Sequence, residues 1–343
     1  MENANNREVP WPFFVIEEGQ ANLGDINKAY LMTKLAAACG ADAVEFQFAR
    51  ADEFYVSTHP GHQIYKDREF SEEQLKSIGR LCCQLGLSLI AAPLSVTLIE
   101  TLVRAECWGF NVNASDLVTP DILDEVAGSG KPFFLSLLFA EEEEIEWAVN
   151  RITRKGAPEF GLLLGQHPMA HSQEKLFLTD TNLGYIATLK ERYGVPVGFI
   201  DHTPFEWMPA CAVVAGADVI TKHMTPDRLE KGPDWQICLE PDEMGRAIDL
   251  ARQARVSIGM KEKVVLEKEK EDRAAMRRSI CCRRAISKGE VLTSDDLCFK
   301  RPGTGIPAFK LEQIIGSVVN RNLNRDHILE LSDIFWKEHG PAS

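Results

Sequence analysis

The chain predicts an α/β protein, a (β/α)8 TIM barrel followed by a small β-rich domain. Two observations carry the barrel. Short apolar segments alternate with stretches of helical spacing eight times over roughly 250 residues, the usual span of that fold. Each segment is continuously apolar rather than alternating, as a strand buried on both faces must be. A third observation, a run of mixed charge from Met260 onward, marks where the pattern ends.

Residues 1–12 are polar, with Asn-Asn and two prolines, and read as an N-terminal arm. The strands are expected at Phe13–Ile16, Ala43–Gln47, Ser88–Ala92, Gly109–Asn113, Pro132–Leu137, Phe160–Leu164, Val197–Ile200 and Asp218–Lys222. Helices are expected between them at Asn27–Cys39, Ser71–Leu85, Leu94–Ala105, Pro120–Ala127, Glu141–Ile152, Thr181–Arg192 and Phe205–Ala215, with a last one at Pro241–Ala254. Asp25, Ser71, Thr119-Pro120 and Glu240-Pro241 supply helix starts. Gly40 and Gly86 supply stops. A doubly wound sheet would show fewer units and a glycine-rich first turn, which is missing here. The domains are therefore a barrel over 13–258, a charged linker over 259–276 and a compact block of short strands and turns over 277–343.

A net charge of −13 argues against nucleic acid or an anionic membrane surface as partner. No apolar run approaches the roughly 20 residues needed to span a bilayer. Nine cysteines, without a CxxC or a zinc spacing, read as buried free thiols of a cytoplasmic protein.

Active sites of such barrels lie at the carboxyl ends of the strands. Those ends carry Glu17-Glu18, Glu45 and Gln47, Asn111 to Asp116, Ser136, Gln166-His167, Asp201-His202 and Lys222-His223. Histidines ending two successive strands, each beside a charged neighbour, can converge on one divalent ion, Mn²⁺ or Mg²⁺ before Zn²⁺ on so acidic a rim. His59, His62 and His171 fall in loops and read as surface residues. The connection Phe54–Asp67 is long for a barrel and suits a segment that covers substrate.

At this point the chain resembles the sialic acid synthase family. The resemblance rests on Asp201-His202-Thr203, on Lys222-His223 through Asp227-Arg228, and on Gly232-Pro-Asp234. Glu17-Glu-Gly19 and Gly40-Ala-Asp-Ala-Val-Glu-Phe-Gln47 match as well. Lys300-Arg301-Pro-Gly-Thr-Gly-Ile306 is similar to the signature of that family's C-terminal antifreeze-like (SAF) domain. The resemblance implies condensation of phosphoenolpyruvate with an N-acetylated hexosamine, N-acetylmannosamine or an analogue. The products are a nine-carbon 2-keto acid and phosphate. It implies a divalent metal on His202 and His223, with Glu17, Asp201 and Asp116 in catalytic roles. Gln47, Ser136, Lys222, Arg228, Asp234 and Arg301 are expected to touch substrate. It also implies a domain-swapped homodimer in which Arg301 reaches the partner's acceptor sugar.

Two departures bear on the donor. The family carries lysines on strands two and four to hold phosphoenolpyruvate, where this chain has Glu45 and Asn111. Ion pairs with phosphate are worth about 1.5–3 kcal/mol each when desolvated. An active synthase would need other cations, with Arg50, Lys222 and Arg228 as candidates. Two alternatives are a non-condensing amino-sugar-binding homologue and a metal-dependent aldolase or lyase with another donor.

Overall fold

Eight mostly apolar runs, rich in aromatic, aliphatic and small residues, form strands that are buried on both faces along almost their whole length. In the computed structural model, which describes residues 12–157, 159–166 and 178–335, they close into a parallel barrel in sequence order. The strands are β1 (Phe13–Glu17), β2 (Ala43–Phe48), β3 (Ser88–Pro93), β4 (Gly109–Val112), β5 (Phe133–Ser136), β6 (Phe160–Gly165), β7 (Val197–Asp201) and β8 (Val219–His223). Pairing of β1 with β8, from Phe13↔Val219 to Glu17↔His223, completes the circle.

Successive side chains point to opposite faces of a strand, and two buried layers result. Inside the barrel, Val15, Ala43, Ile90, Phe134, Leu163, Ile200 and Val219 form one apolar cluster. Their strand neighbours Phe14, Val44, Leu89, Phe133, Leu162, Phe199 and Ile220 belong to the larger cluster formed with the helices.

The helices of this unit are α1 (Ile26–Cys39), α2 (Ala51–Phe54), α3 (Pro60–Lys66), α4 (Glu72–Leu85), α5 (Val96–Arg104), α6 (Pro120–Gly128), α7 (Glu142–Arg154), α8 (Tyr185–Tyr193), α9 (Met208–Val214) and α10 (Pro241–Ser257). Asp25 caps α1 by accepting from the Asn27 amide, and Ser71 and Gln74 close a capping box on α4. The Thr119 side chain makes no cap hydrogen bond on α6; Pro120 fills the first turn instead. The long connection Phe54–Asp67 is not structureless. It holds α3, capped by His59, whose ring accepts from the Gly61 amide. His62 is half-buried against Asp52 at 2.9 Å rather than free on the surface. No described helix is long and apolar enough to cross a membrane.

Chain contacts divide the protein after Gly259. The second unit begins with α11 (Glu267–Met276) inside the charged stretch. It continues as two antiparallel pairs, β9 (Ser279–Cys282) with β10 (Leu297–Lys300), and β11 (Val318–Val319) with β12 (Ile334–Phe335). Its core is its own, built around Ile280, Cys282, Leu292, Leu297, Ile314 and Leu329. Asp333 accepts from His327 and Arg321 and ties the last turn to it.

The expectation that all cysteines are buried needs correction. Cys82, Cys107, Cys238, Cys281 and Cys282 are buried, but Cys83 and Cys211 are exposed. Adjacent residues of a helix lie about 100° apart, so Cys82 faces the core while Cys83 faces water.

Gly79 marks the tightest approach between α4 and its neighbours: a Cβ there would sit 2.0 Å from the Ala105 carbonyl oxygen. Gly79→Ala should destabilise the barrel by about 1–3 kcal/mol through overpacking. Gly128→Ala, with nothing within 4 Å of the added carbon, should be neutral or stabilising by up to about 1 kcal/mol. Urea melts of the two variants check the contrast.

Candidate active site

Strand parity decides which side chains reach the mouth of the barrel. On β1 the inward positions are Phe13, Val15 and Glu17; on β2 they are Ala43, Glu45 and Gln47. Asn111, Ser136 and His223 follow by the same count. Together with His202, just beyond β7, these residues make the floor of a cavity of about 270 Å³, Glu45 lying buried beneath it.

Glu17 is held from two sides. Gln47 Nε2 donates to its Oε1 at 2.9 Å, and its Oε2 lies 3.5 Å from His223 Nε2. The rings of His202 and His223 stand 4.9 Å apart between centroids. His223 is buried, and its Nδ1 has no hydrogen-bond partner among the described residues. The backbone of Gly19 passes close over that ring; a Cβ there would lie 2.7 Å from Nδ1, and φ is +51°. Asp234, also in the left-handed region at φ +54°, completes this wall.

The opposite side is a relay of neutral groups ending on a buried acid. Ser136 Oγ donates to Asn111 Oδ1 at 3.0 Å, and Asn111 Nδ2 donates to Glu45 Oε1 at 2.7 Å. Burial pushes the Glu45 carboxyl well above the ordinary carboxylate range, and the charge of Glu17 pushes it the same way. Glu18, one step off the inward face, is also buried and raised to about 7 by desolvation, against hydrogen bonds from Asn22 and Gln20 that lower it.

Several expected contacts are placed elsewhere. Asp201 and Lys222 are wholly buried and pair with each other, Lys222 Nζ lying 2.9 Å from Asp201 Oδ2 and also donating to the Thr203 carbonyl. Both occupy outward positions of their strands, so neither lines the cavity. Asp116 is drawn into its own turn, where Ser115 Oγ donates to it at 2.9 Å; Ser115 and Asn113 line the cavity instead. Arg228 is engaged by Glu243 at 2.5 Å and Glu240 at 3.6 Å, and it too is off the wall. Arg301 is exposed on the second unit. His167 and His171 lie outside the described residues, as do residues 1–11 of the arm.

The rim holds residues that strand ends alone did not indicate. Phe54 and Tyr65, from the segment after β2, line the cavity with Leu138 and Phe139. The length of the Phe54–Asp67 connection was their one signal in the sequence. No lysine or arginine lines this cavity among the described residues.

A divalent ion is tested here by the donor set. No three His, Cys, Asp or Glu side chains gather as a metal-holding group among the described residues. Two imidazoles on one cavity floor, one with an unpartnered buried nitrogen, nevertheless fit an ion that takes its remaining ligands from water and substrate.

Two expected outcomes follow from the buried charges. A raised carboxyl binds more protons in the folded state, so stability is full below about pH 4.5 and falls as pH rises through the folded value. For Glu18 that window is about 4.5 to 7, with a loss on the order of 3 kcal/mol. Glu45→Gln should flatten the part of the decline that Glu45 causes, measured by urea melts across pH 4–8. Unchanged slope would show that Glu45 stays ionised. Separately, Lys222→Met should cost about 3–5 kcal/mol by stranding the buried Asp201 carboxylate. Asp201→Asn in the same chain should recover most of it; no recovery would contradict a purely structural pair.

Comparison with known proteins agrees with the resemblance seen in the sequence. Residues 32–263 match the NeuB family and residues 277–334 match the SAF domain. The chain is 32% identical over 326 residues to an uncharacterized protein of Methanocaldococcus jannaschii, covering 94% of this chain and 95% of that one. It is 29% identical over 329 residues to N,N'-diacetyllegionaminic acid synthase of Legionella pneumophila, covering 91% of each. The crystal structure of N-acetylneuraminic acid synthetase from Leptospira borgpetersenii, in complex with citrate, superposes with a TM-score of 0.70 at 28% identity, covering 79% of this chain and 94% of that chain. With its barrel matched over most of its length and the small domain matched after it, this chain belongs to the NeuB family and carries a SAF domain.

Proposed function

We propose that the protein is a divalent-metal-dependent enzyme that joins a three-carbon donor to the open-chain aldehyde of an N-acylated amino sugar, giving a nonulosonic acid. The observation that carries this reading is the floor formed by Glu17, His202 and His223 at the mouth of a NeuB-family barrel. His202 and His223 would hold the ion, which supplies Lewis-acid polarisation of the aldehyde when bound. Glu17 has one oxygen fixed by Gln47, and its other oxygen faces His223. It is placed to hold or take a proton from a group bound beside that imidazole. Asn113, Ser115 and Ser136 offer hydrogen bonds along the wall for sugar hydroxyls.

Phosphoenolpyruvate is the donor that the resemblance to the sialic acid synthase family implies, and the relatives include an N,N'-diacetyllegionaminic acid synthase. With that donor the balance is aldehyde plus phosphoenolpyruvate plus water, giving a 2-keto acid and phosphate. The relay from Ser136 through Asn111 to Glu45 favours a second reading, an aldolase or lyase, or a sugar-binding homologue, that does not use a phosphorylated donor. The two readings share the metal and the sugar; the second drops the phosphorylated donor, and in its sugar-binding form drops condensation as well. In either, Arg301 remains the proposed contact for the acceptor's acyl group, and the homodimer the proposed working form.

The test is release of phosphate from phosphoenolpyruvate with Mn²⁺ and a panel of N-acetylated hexosamines. The first reading expects metal-dependent, sugar-dependent release, and a loss of at least about a hundredfold in His202→Ala and His223→Ala. Sugar binding without release from any acceptor would leave the second reading in its place.

A further inference from the structure

The second unit has a cavity of its own, about 490 Å³, lined by α11 and by the turns after β10. We propose that it binds a nucleoside phosphate, with the phosphates on the arginines of α11 and the residues that end it, and the base on Phe309. This goes beyond the reading of the barrel mouth and shares no residue with it.

Four cations line the cavity. Lys270, Arg273 and Arg277 are spaced by three and four residues, so they lie along one face of α11 up to the residue that ends it. Arg278 follows and lines the same space. No carboxylate belongs to the described lining. Lys270 has Glu267 at 2.5 Å, but the three arginines are exposed and their side chains have no hydrogen-bond or ion-pair partner among the described residues. Other arginines of this unit are matched. Arg284 meets Glu290 at 2.9 Å and Asp296 at 2.7 Å, Arg321 meets Asp333, and Arg283 donates to the Leu297 carbonyl at 2.9 Å. Arg273 and Arg277 instead repel each other one turn apart, a cost that a bound polyanion removes. Guanidinium forks suit phosphate oxygens, which they hold in pairs.

The rest of the lining is apolar. Pro307, Ala308 and Phe309 supply it, and Phe309 is 74% exposed with no ring contact among the described residues. A phenyl ring left in water gains burial when a flat group lies on it.

Cations and ring are tied together by the backbone. The Gly303 amide donates to the Ala274 carbonyl at 2.7 Å, and a Cβ on Gly303 would sit 2.6 Å from Arg277 Cβ. Ser279 Oγ donates to the Pro302 carbonyl at 2.7 Å and accepts from the Gly305 amide at 2.9 Å, and Ser279 bridges to Pro307. The loop that leads to Phe309 is thus stitched to the end of α11 and the start of β9. The site is formed before any ligand arrives, which lowers the cost of binding.

Size and charge narrow the ligand. Small-molecule cavities run from about 300 to 1,000 Å³, and this one is larger than a lone phosphate or a three-carbon anion would fill. Four cations call for more than one negative charge, and the apolar lining calls for a flat ring attached to it. A nucleoside diphosphate carries both.

Isothermal titration of the full chain without metal tests this with adenosine diphosphate, inorganic pyrophosphate and adenosine. Adenosine diphosphate should bind tightest, pyrophosphate about fivefold or more weaker, and adenosine weakest. Arg277→Gln combined with Arg278→Gln should weaken adenosine diphosphate and pyrophosphate alike, by about tenfold or more. Phe309→Ala should weaken adenosine diphosphate about fivefold and leave pyrophosphate within about twofold. Melting temperatures check that each variant is folded, and Arg273→Gln is a second arginine probe with the same expected direction. Binding of none of the three probes overturns the inference, and so does binding that no arginine variant weakens. Pyrophosphate as tight as adenosine diphosphate, with no effect of Phe309→Ala, overturns the assignment to a nucleoside phosphate. Phosphate release at the barrel mouth is measured separately, so either reading can fail alone.

Discussion

Alternation along the barrel strands is the constraint on which the site depends. Each strand can send only every second side chain to the mouth, and the next must satisfy the helices outside. Asp201 and Lys222 show what happens when the outward position is charged. Wholly removed from water, they can persist only as a pair, and Lys222 takes a further acceptor in the Thr203 carbonyl. That pair braces β7 to β8 one residue before each strand delivers its histidine. The spacing of His202 and His223 is thus set from behind.

The barrel was legible because eight apolar runs and their caps admit few other closures. The histidines, Glu17, Gln47, Ser136 and Asp234 were legible as strand-end or motif residues, and all line one cavity. Asp201 and Lys222 were misplaced although the signal was present. Adjacent residues of one strand cannot both face the mouth, so choosing His202 and His223 already excluded their neighbours. Asp116 and Arg228 were misplaced for a different reason. Their partners Ser115, Glu240 and Glu243 are local or helix-borne, and no periodicity announces them. Phe54, Tyr65 and Phe139 come from turns whose direction only the folded chain fixes.

Glu45 and Asn111 first stand out as losses, two positions where cations would be expected. In the fold they are a unit. Asn111 turns its amide toward Glu45 and its carbonyl toward Ser136, so each polar atom in the row has a partner. Changing either residue removes a partner from the other: without Glu45 the Asn111 amide loses its acceptor, and without Asn111 both Glu45 and Ser136 lose a partner. The wall that these residues form presents hydroxyl and amide to the cavity rather than charge.

The same charges decide how an anionic donor would be received. Glu17 and Asp234 face the cavity while Glu45 below is held toward its neutral form. Two carboxylates and one divalent ion would leave the floor near electrical balance, with nothing spare for a phosphate and a carboxylate together. An anionic donor then needs cations from beyond the described wall of the barrel, and an uncharged donor needs none. On the proposed reading, the donor would be selected by what reaches the mouth, and the aldehyde end by what the strands already hold. The half of the site built from Glu17, His202 and His223 is thus separable from the half built from Ser136, Asn111 and Glu45, and the second can differ in chemistry without disturbing the first.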